Sequence, residues 1–178
     1  MLTEGVIEAH TRWKSWLHPT DGVVDATSGN GKDTLLLSQL VPNGYVVGFD
    51  IQEVALQRSR ERLKEQPHVT LHLRSHEEID QVPLPFPPRL IIYNLGYLPG
   101  GDKTITTLKT TTLRSLEASL RCLAPDGALS IICYSGHPGG QAEEDAVWEW
   151  AEKLVGWKAE RIRFERPRSP TLVWINTK

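Results

Sequence analysis

The chain is short of several things, and each shortage removes a class of protein. Its two cysteines, Cys122 and Cys133, have no metal-like spacing, and one pair is too little to staple a small secreted fold. A reducing, cytosolic setting is expected, or a plastid for a plant nuclear gene. No apolar run reaches transmembrane length, and Glu4, Glu8, Arg12 and Lys14 interrupt the apolar residues near the N-terminus. Neither a membrane span nor a signal peptide is expected. Positive charge is not in excess: 20 Lys and Arg against 22 Asp and Glu leave a net charge of −2. No overall basic field advertises DNA, although a local patch suffices for RNA. Repeats and low-complexity tracts are missing too. At 178 residues the chain suits one well-buried domain. That domain is expected over residues 1–178, with a leading helix in 1–20.

What is present is an alternation of helices and strands. Val6, Ala9, Trp13 and Leu17 mark one face of the leading helix. Strands are predicted at 22–25, 45–50, 69–73, 90–93 and 128–134, with two more near 159–164 and 172–175. Ile105, Leu108, Thr112, Leu116 and Leu120 predict a long helical stripe. The pattern implies a Rossmann-like, mainly parallel seven-stranded sheet with helices on both faces. The last two strands, with no helix between them, predict an antiparallel hairpin at one edge.

Sites in such sheets lie at the carboxyl ends of strands, where strand order reverses. The run Asp25-Ala26-Thr27-Ser28-Gly29-Asn30-Gly31 follows the first strand, and its glycines permit a tight turn against a ligand. A dinucleotide fingerprint needs a third glycine, but that position is Thr34. Asp50 ends the second strand, where a carboxylate takes both ribose hydroxyls; Ile51 and Gln52 follow it. Arg74-Ser75-His76-Glu77 follows the third strand, and Asn94-Leu95-Gly96-Tyr97 the fourth. This constellation fits S-adenosylmethionine better than NAD. Its α-ammonium suits Asp25, directly or through water, and it has no phosphate to seat.

The segments DATSGNGKDT (25–34), FDIQ (49–52), NLGYLPGGDK (94–103) and YSGHPGG (134–140) resemble a small bacterial and plastid family of rRNA-methylase-like proteins. Its better-defined members are tRNA methyltransferases. They methylate the amine of 5-aminomethyl-2-thiouridine at the wobble position, 34, giving 5-methylaminomethyl-2-thiouridine. The resemblance, over about residues 9 to 155, implies a class I methyltransferase fold and S-adenosylmethionine as cofactor. It implies cofactor roles for Asp25, Asn30, Gly31, Asp33, Thr34, Asp50, Gln52, His76 and Asn94. Thr27, Gly29, Ile51, Ser75, Glu77 and Leu95 complete the expected cofactor site. Relatives also suggest a homodimer, and a tRNA anticodon arm is the expected partner. Two departures stand out: Ser75 where some relatives have glycine, and Glu165-Arg166-Pro167-Arg168-Ser169-Pro170 where the family often has an Asn/Gln-rich tail.

The Asn94 run also resembles the Asn-Pro-Pro-Tyr loop of amino-group methyltransferases. An amine nucleophile must be neutral, with its lone pair aimed at the methyl group. The Asn94 side-chain carbonyl and the Leu95 backbone carbonyl are the expected acceptors of its N–H groups, and Tyr97 stacks on the base or faces the sulfonium. His137 is a further catalytic candidate, with a plain turn histidine as the competing reading. Gly100 and Gly101 leave room for a polynucleotide. Asp102 holds the loop, and Lys103 either helps it or meets phosphate. Arg161, Arg163, Arg166 and Arg168 form a candidate phosphate strip, against which stands an ordinary solvated edge. His10, His18, His68 and His72 read as surface or structural. Methylation at uracil C5 generally needs an attacking cysteine, and none lies in the strand-four loop. Nitrogen or oxygen is left as the acceptor. A small-molecule or rRNA N-methyltransferase, a non-catalytic S-adenosylmethionine-binding subunit and a nicotinamide enzyme remain as alternatives.

Overall fold

Short aliphatic runs closed by glycine, proline or a polar residue become strands, and the amphipathic stretches between them become helices. The computed structural model describes residues 2–166 and 169–177. Its elements are α1 (Glu4–Trp16), β1 (Gly22–Asp25), α2 (Lys32–Leu40), β2 (Tyr45–Asp50), α3 (Glu53–Arg62) and β3 (Val69–Leu73). A 3-10 helix (His76–Gln81) precedes β4 (Leu90–Leu95), α4 (Lys109–Cys122), β5 (Ala128–Cys133), α5 (Gly140–Ala151), β6 (Trp157–Ile162) and β7 (Thr171–Thr177).

The strands form one sheet in the order β3-β2-β1-β4-β5-β7-β6. The first five are parallel, and β7 runs antiparallel to both β5 and β6. Parallel neighbours need a crossover, which the helices supply, whereas β6 and β7 share only the connection 163–170. The expected parallel sheet and terminal hairpin are both found. Order reverses between β1 and β4, so the crevice where ligands bind in such sheets opens at the ends of these two strands.

Because side chains alternate along a strand, Leu90 and Ile92 enter one layer while Ile91 and Tyr93 enter the other. The first layer is closed by Val6, Ala9 and Trp13 of α1 and Leu37 of α2. The second is closed by Leu116 of α4, Val147 of α5 and Ile79 of the 3-10 helix. Trp13 is wholly buried, and its indole N–H donates to Ser130 Oγ at 2.9 Å. That bond satisfies the one polar atom of a large apolar group and fixes α1 over β5.

One expectation is corrected. The stripe from Ile105 is helical only from Lys109, and Ile105 and Leu108 are exposed. Thr106 bridges to Tyr97, and the Thr107 amide donates to the Gly96 carbonyl at 2.8 Å. These contacts hold 106–107 against the end of β4, so the backbone there is not free to begin a helix. The 3-10 helix was not foreseen. Its entry is set by the Ser75 hydroxyl, which accepts the Glu77 N–H at 3.4 Å. Ser115 of α4 donates to the His76 carbonyl at 2.7 Å.

Candidate active site at the ends of strands 1 and 4

Asp25 closes β1 and has 0% of its surface exposed. The Thr34 hydroxyl donates to its Oδ2 at 2.7 Å, and the Thr27 N–H donates to its Oδ1 at 3.2 Å. Ser28 Oγ lies 2.8 Å from Thr34 Oγ1, extending the chain of hydroxyls. Burial pushes the Asp25 carboxyl up to about 7; the Thr34 bond opposes this, while the negative charges of Asp33 and Asp50 add to it.

The glycine turn follows. Gly31 has φ +74°, and a Cβ there would sit 2.7 Å from Ser59 Oγ, so both conformation and the packing of α3 require glycine. The Gly29 N–H donates to Asp50 Oδ2 at 2.9 Å, and the Gln52 N–H donates to Asp50 Oδ1 at 2.8 Å. Each oxygen is thereby aimed, yet each keeps a lone pair for another donor. Burial raises the Asp50 carboxyl, and these backbone N–H groups oppose the shift. Ile51 beside it is exposed, and Gln52 begins α3.

Asn30 is a hub that the sequence did not reveal. Its carbonyl accepts from Arg62 Nε at 2.9 Å and its Oδ1 from Arg58 at 3.2 Å. Its Nδ2 donates to the Pro99 carbonyl at 2.9 Å. The 94–103 loop is thus latched onto the turn, with Leu98 packed at Gly29.

Asn94 lies between these parts. Its backbone N–H donates to Thr27 Oγ1 at 2.7 Å, and its Nδ2 donates to Asp33 Oδ2 at 2.9 Å. Asp33 Oδ1 is 2.9 Å from His10 Nε2. Asn94 Oδ1 is buried and has no hydrogen-bond partner among the described residues. The Leu95 carbonyl, the second expected acceptor, already accepts the Tyr134 N–H at 3.2 Å and has one lone pair left. Tyr97 is 39% exposed and meets His137 edge-on at 6.0 Å between ring centroids. Lys103 Nζ stands over the Tyr97 ring, 5.8 Å from its centroid.

The rest of the loop is self-supporting. Asp102 accepts from the Thr104 N–H at 2.8 Å and its hydroxyl at 2.7 Å, which holds its carboxyl below the ordinary value. Gly100 has φ +73°, and a side chain there would meet nothing; Gly101 turns back toward Leu98 through its N–H. Behind the loop Glu143, 3% exposed, accepts from Thr107 Oγ1 and Thr112 Oγ1, each at 2.7 Å. Thr107 Oγ1 in turn receives the Gly96 N–H at 2.9 Å. Glu143 is a supporting residue that sequence reading missed, because its partners lie more than thirty residues away.

At the third corner, Ser75 and Glu77 serve the 3-10 helix, and Glu77 lies 3.6 Å from Arg114. His76 is buried edge-on against Tyr93, and burial lowers it to about 4, so it is neutral at pH 7. Its Nδ1 has no protein partner. Cys133 is buried in β5, and burial raises its thiol well above the ordinary value, which leaves no thiolate for attack on a base.

The arginine strip divides. Arg161 is only 15% exposed; its guanidinium bonds Glu144 at 2.7 Å and Asp145 at 3.1 Å and covers Trp148. It is committed to α5, which corrects its reading as a phosphate contact. Arg163 is 62% exposed and Arg166 is exposed; Arg168 lies outside the described residues. Thr171 pairs with Cys133, so β7 begins at the same edge as the candidate site, two strands from β4. With neighbouring strands about 4.8 Å apart, that is about 10 Å across the sheet.

Asp50 and Asn94 are bonded to the glycine turn through Gly29 and Thr27, and His76 follows β3, two strands from β1. Asp33 occupies the first turn of α2, where its charge repels a pyrophosphate. The set fits a nucleoside that is cationic and carries no phosphate, as S-adenosylmethionine does. Comparison with known proteins agrees. The family described as "Putative rRNA methylase" matches residues 46–175. A relative from Arabidopsis thaliana, the chloroplastic tRNA (mnm(5)s(2)U34)-methyltransferase, is 37% identical over 94% of this chain and 67% of its own length. A protein from Clostridium thermocellum described as a "putative rRNA-methylase" superposes with a TM-score of 0.93 at 32% identity, covering 100% of both chains. A Streptococcus mutans protein described as "a putative methyltransferase", crystallised with SAH, superposes with a TM-score of 0.88 at 32% identity, again over 100% of both chains. A family model over residues 46–175, together with relatives of 32% and 37% identity, one of them crystallised with SAH, settles the family: the chain belongs to the rRNA-methylase family of class I S-adenosylmethionine-dependent methyltransferases.

Proposed function

We propose that this methyltransferase acts on the amine of 5-aminomethyl-2-thiouridine at position 34 of tRNA, giving 5-methylaminomethyl-2-thiouridine. The observation that carries this reading is Asn94 Oδ1, a buried acceptor with no partner among the described residues, three positions before an exposed aromatic, Tyr97. An acceptor left unpaired at a strand end costs roughly 1–3 kcal/mol, which a substrate N–H would recover. The name of the Arabidopsis thaliana relative, a wobble-uridine methyltransferase, agrees with an amine acceptor on tRNA.

S-adenosylmethionine, when bound, supplies an electrophilic methyl group. In this reading Asp50 takes the ribose hydroxyls, with its oxygens aimed by Gly29 and Gln52. Neutral His76 and the exposed Ile51 border the adenine. Asp25 has no exposed surface, so it acts on the α-ammonium through its field and through the Thr27 and Thr34 groups it holds, with Asn30, Gly31 and Thr34 shaping the turn. Asn94 Oδ1 accepts one substrate N–H, which turns the amine lone pair away from it and along the methyl direction. The spare lone pair of the Leu95 carbonyl accepts the second. Such orientation is worth up to about 7–11 kcal/mol in favourable cases. Tyr97, backed by His137, offers a face to the thiouracil. Gly100, Gly101 and Lys103 border the path of the polynucleotide, and Arg166 with Arg168 meets its phosphates. A homodimer provides the wider surface an anticodon arm needs, in the cytosol or a plastid.

The test is nucleoside mass spectrometry of tRNA bearing the unmethylated amine after incubation with the protein and S-adenosylmethionine. A gain of one methyl on that nucleoside is expected. Methylation only of rRNA, or only of a small amine, would replace this reading with one of those substrates.

A further inference from the structure

We infer that His10, on the leading helix, is a positioning residue that acts through Asp33 to fix which way the Asn94 side-chain amide faces. Asn94 is an amide with an oxygen at one end and an NH2 at the other, and the two ends are nearly isosteric. Only one orientation presents an acceptor to the site. Asp33 decides between them: a carboxylate accepts and does not donate, so its Oδ2, 2.9 Å from Asn94, demands the NH2 end. The oxygen is then forced to the other side, where it is buried and unpartnered. Turning the amide over would set oxygen against oxygen at that distance.

Asp33 needs holding in turn, because a carboxylate in the first turn of α2 is free to rotate toward solvent. His10 Nε2 holds Oδ1 at 2.9 Å, leaving Oδ2 for Asn94. The His10 ring packs on Trp13 at 4.8 Å between centroids, and Trp13 is bonded to Ser130 of β5. The relay therefore rests on the core, and it ties α1 to the end of β4 across 84 residues of sequence (94 − 10). A surface histidine serving α1 alone would have no reason to meet the one carboxylate that orients Asn94.

That Asn94 receives an amine rests on the function proposed above; that His10 fixes the Asn94 amide does not, and the two are separated by experiment. The chain has four asparagines, so protein labelled with 15N at asparagine resolves the Asn94 side-chain NH2 without any substrate. In the wild-type protein this NH2 is expected to be protected from hydrogen exchange by its bond to Asp33. His10→Ala should lose about tenfold of that protection, about the worth of one ordinary hydrogen bond, and His10→Gln, whose amide can still donate, should restore it. Turnover is read alongside. His10→Ala should lower kcat about tenfold with KM for tRNA and affinity for SAH within about twofold, and the loss should vanish in an Asn94→Ala background. A thermal melt checks that each variant is folded. Unchanged protection in folded His10→Ala, or an equal kcat loss with and without Asn94, overturns the inference. Protection that responds as expected in a protein that does not methylate tRNA upholds the relay and removes the proposed substrate instead.

Discussion

Replacing Asp50 by alanine tests the cofactor reading where the structure is most explicit. The carboxylate has two duties. It accepts the backbone N–H groups of Gly29 and Gln52, and it leaves one lone pair on each oxygen for a ribose diol. Loss of hydrogen bonds to a charged acceptor costs roughly 1.5–3 kcal/mol, so Kd for SAH should rise between about 10-fold and 150-fold. The first duty adds a stability cost. Two N–H groups lose their acceptor, but Asp50 is only half-buried and water can reach the gap. A loss of about 1–2 kcal/mol follows, or roughly 2–8 °C in Tm for a chain of this size. Calorimetric titration with SAH and a melt of the ligand-free protein read the two duties separately. Asp50→Asn keeps one acceptor oxygen but turns an NH2 against the Gly29 or the Gln52 N–H, so it should lose stability as well as affinity. An Asp50→Ala variant that melts cooperatively and binds SAH within twofold of wild type would remove Asp50 from the ribose site.

Asn94→Ala should preserve the fold and most of the SAH affinity while raising the barrier of methyl transfer by about 2–4 kcal/mol, by analogy with single oxyanion-hole donors; normal kcat at saturating tRNA would reduce this loop to a turn. Asp25 gives a pH prediction. Its folded value, about 7, lies above its unfolded value, so the native state keeps a proton that the unfolded chain releases. The contribution is whole below about pH 4 and is lost as pH rises toward 7, by up to about 4 kcal/mol. Asp25→Asn, which still accepts from Thr27 and donates to Thr34, should flatten Tm against pH over that window; an unaltered slope would refute the assignment. Arg163→Glu with Arg166→Glu should raise KM for tRNA and weaken its salt dependence without changing SAH affinity. Unchanged kinetics at physiological salt would move the RNA surface toward Lys103 and Lys109.

Much of the fold is legible because burial on two faces leaves a mark in sequence. Leu90-Ile91-Ile92-Tyr93 and Ala128 to Cys133 read as strands because a central strand buried on both faces is mostly apolar; the one serine in the second, Ser130, is bonded to Trp13. The polar residues that end such runs, Asp25, Asp50 and Asn94, were legible for the same reason: each sits where the buried strand meets the crevice. Periodicity misled at Ile105 and Leu108, whose helical spacing continues the α4 stripe. The backbone there is instead held by Gly96 and Tyr97, a contact that spacing cannot report. Proximity in sequence misled at Arg161 as well: it groups Arg161 with Arg163, but Arg161 bonds Glu144 and Asp145 of α5 and is largely covered. Glu143, and the partners of His10 and Asn30, were illegible because each acts on residues 23 to 69 positions away. Such distances are set by helix packing and not by local pattern.

The three carboxylates around the glycine turn show what the fold concedes to chemistry. For stability alone, Asp25, Asp33 and Asp50 are poor neighbours: burial raises Asp25 and Asp50, and the other two charges push Asp25 up further. Threonine or asparagine would fill Asp25's place between Thr27 and Thr34 without that conflict. Local rules broken at one place, with hydroxyls and backbone N–H groups arranged to make the breach bearable, mark a site kept for a ligand. The sign of the conflict identifies the ligand's charge. Excess negative charge that is costly when empty becomes favourable once a cation arrives, and S-adenosylmethionine brings two, an ammonium and a sulfonium. Its product has lost the sulfonium charge. In the proposed site the same carboxylates would hold the methyl donor more tightly than the demethylated product, so the electrostatics that strain the fold would also help it exchange product for fresh donor.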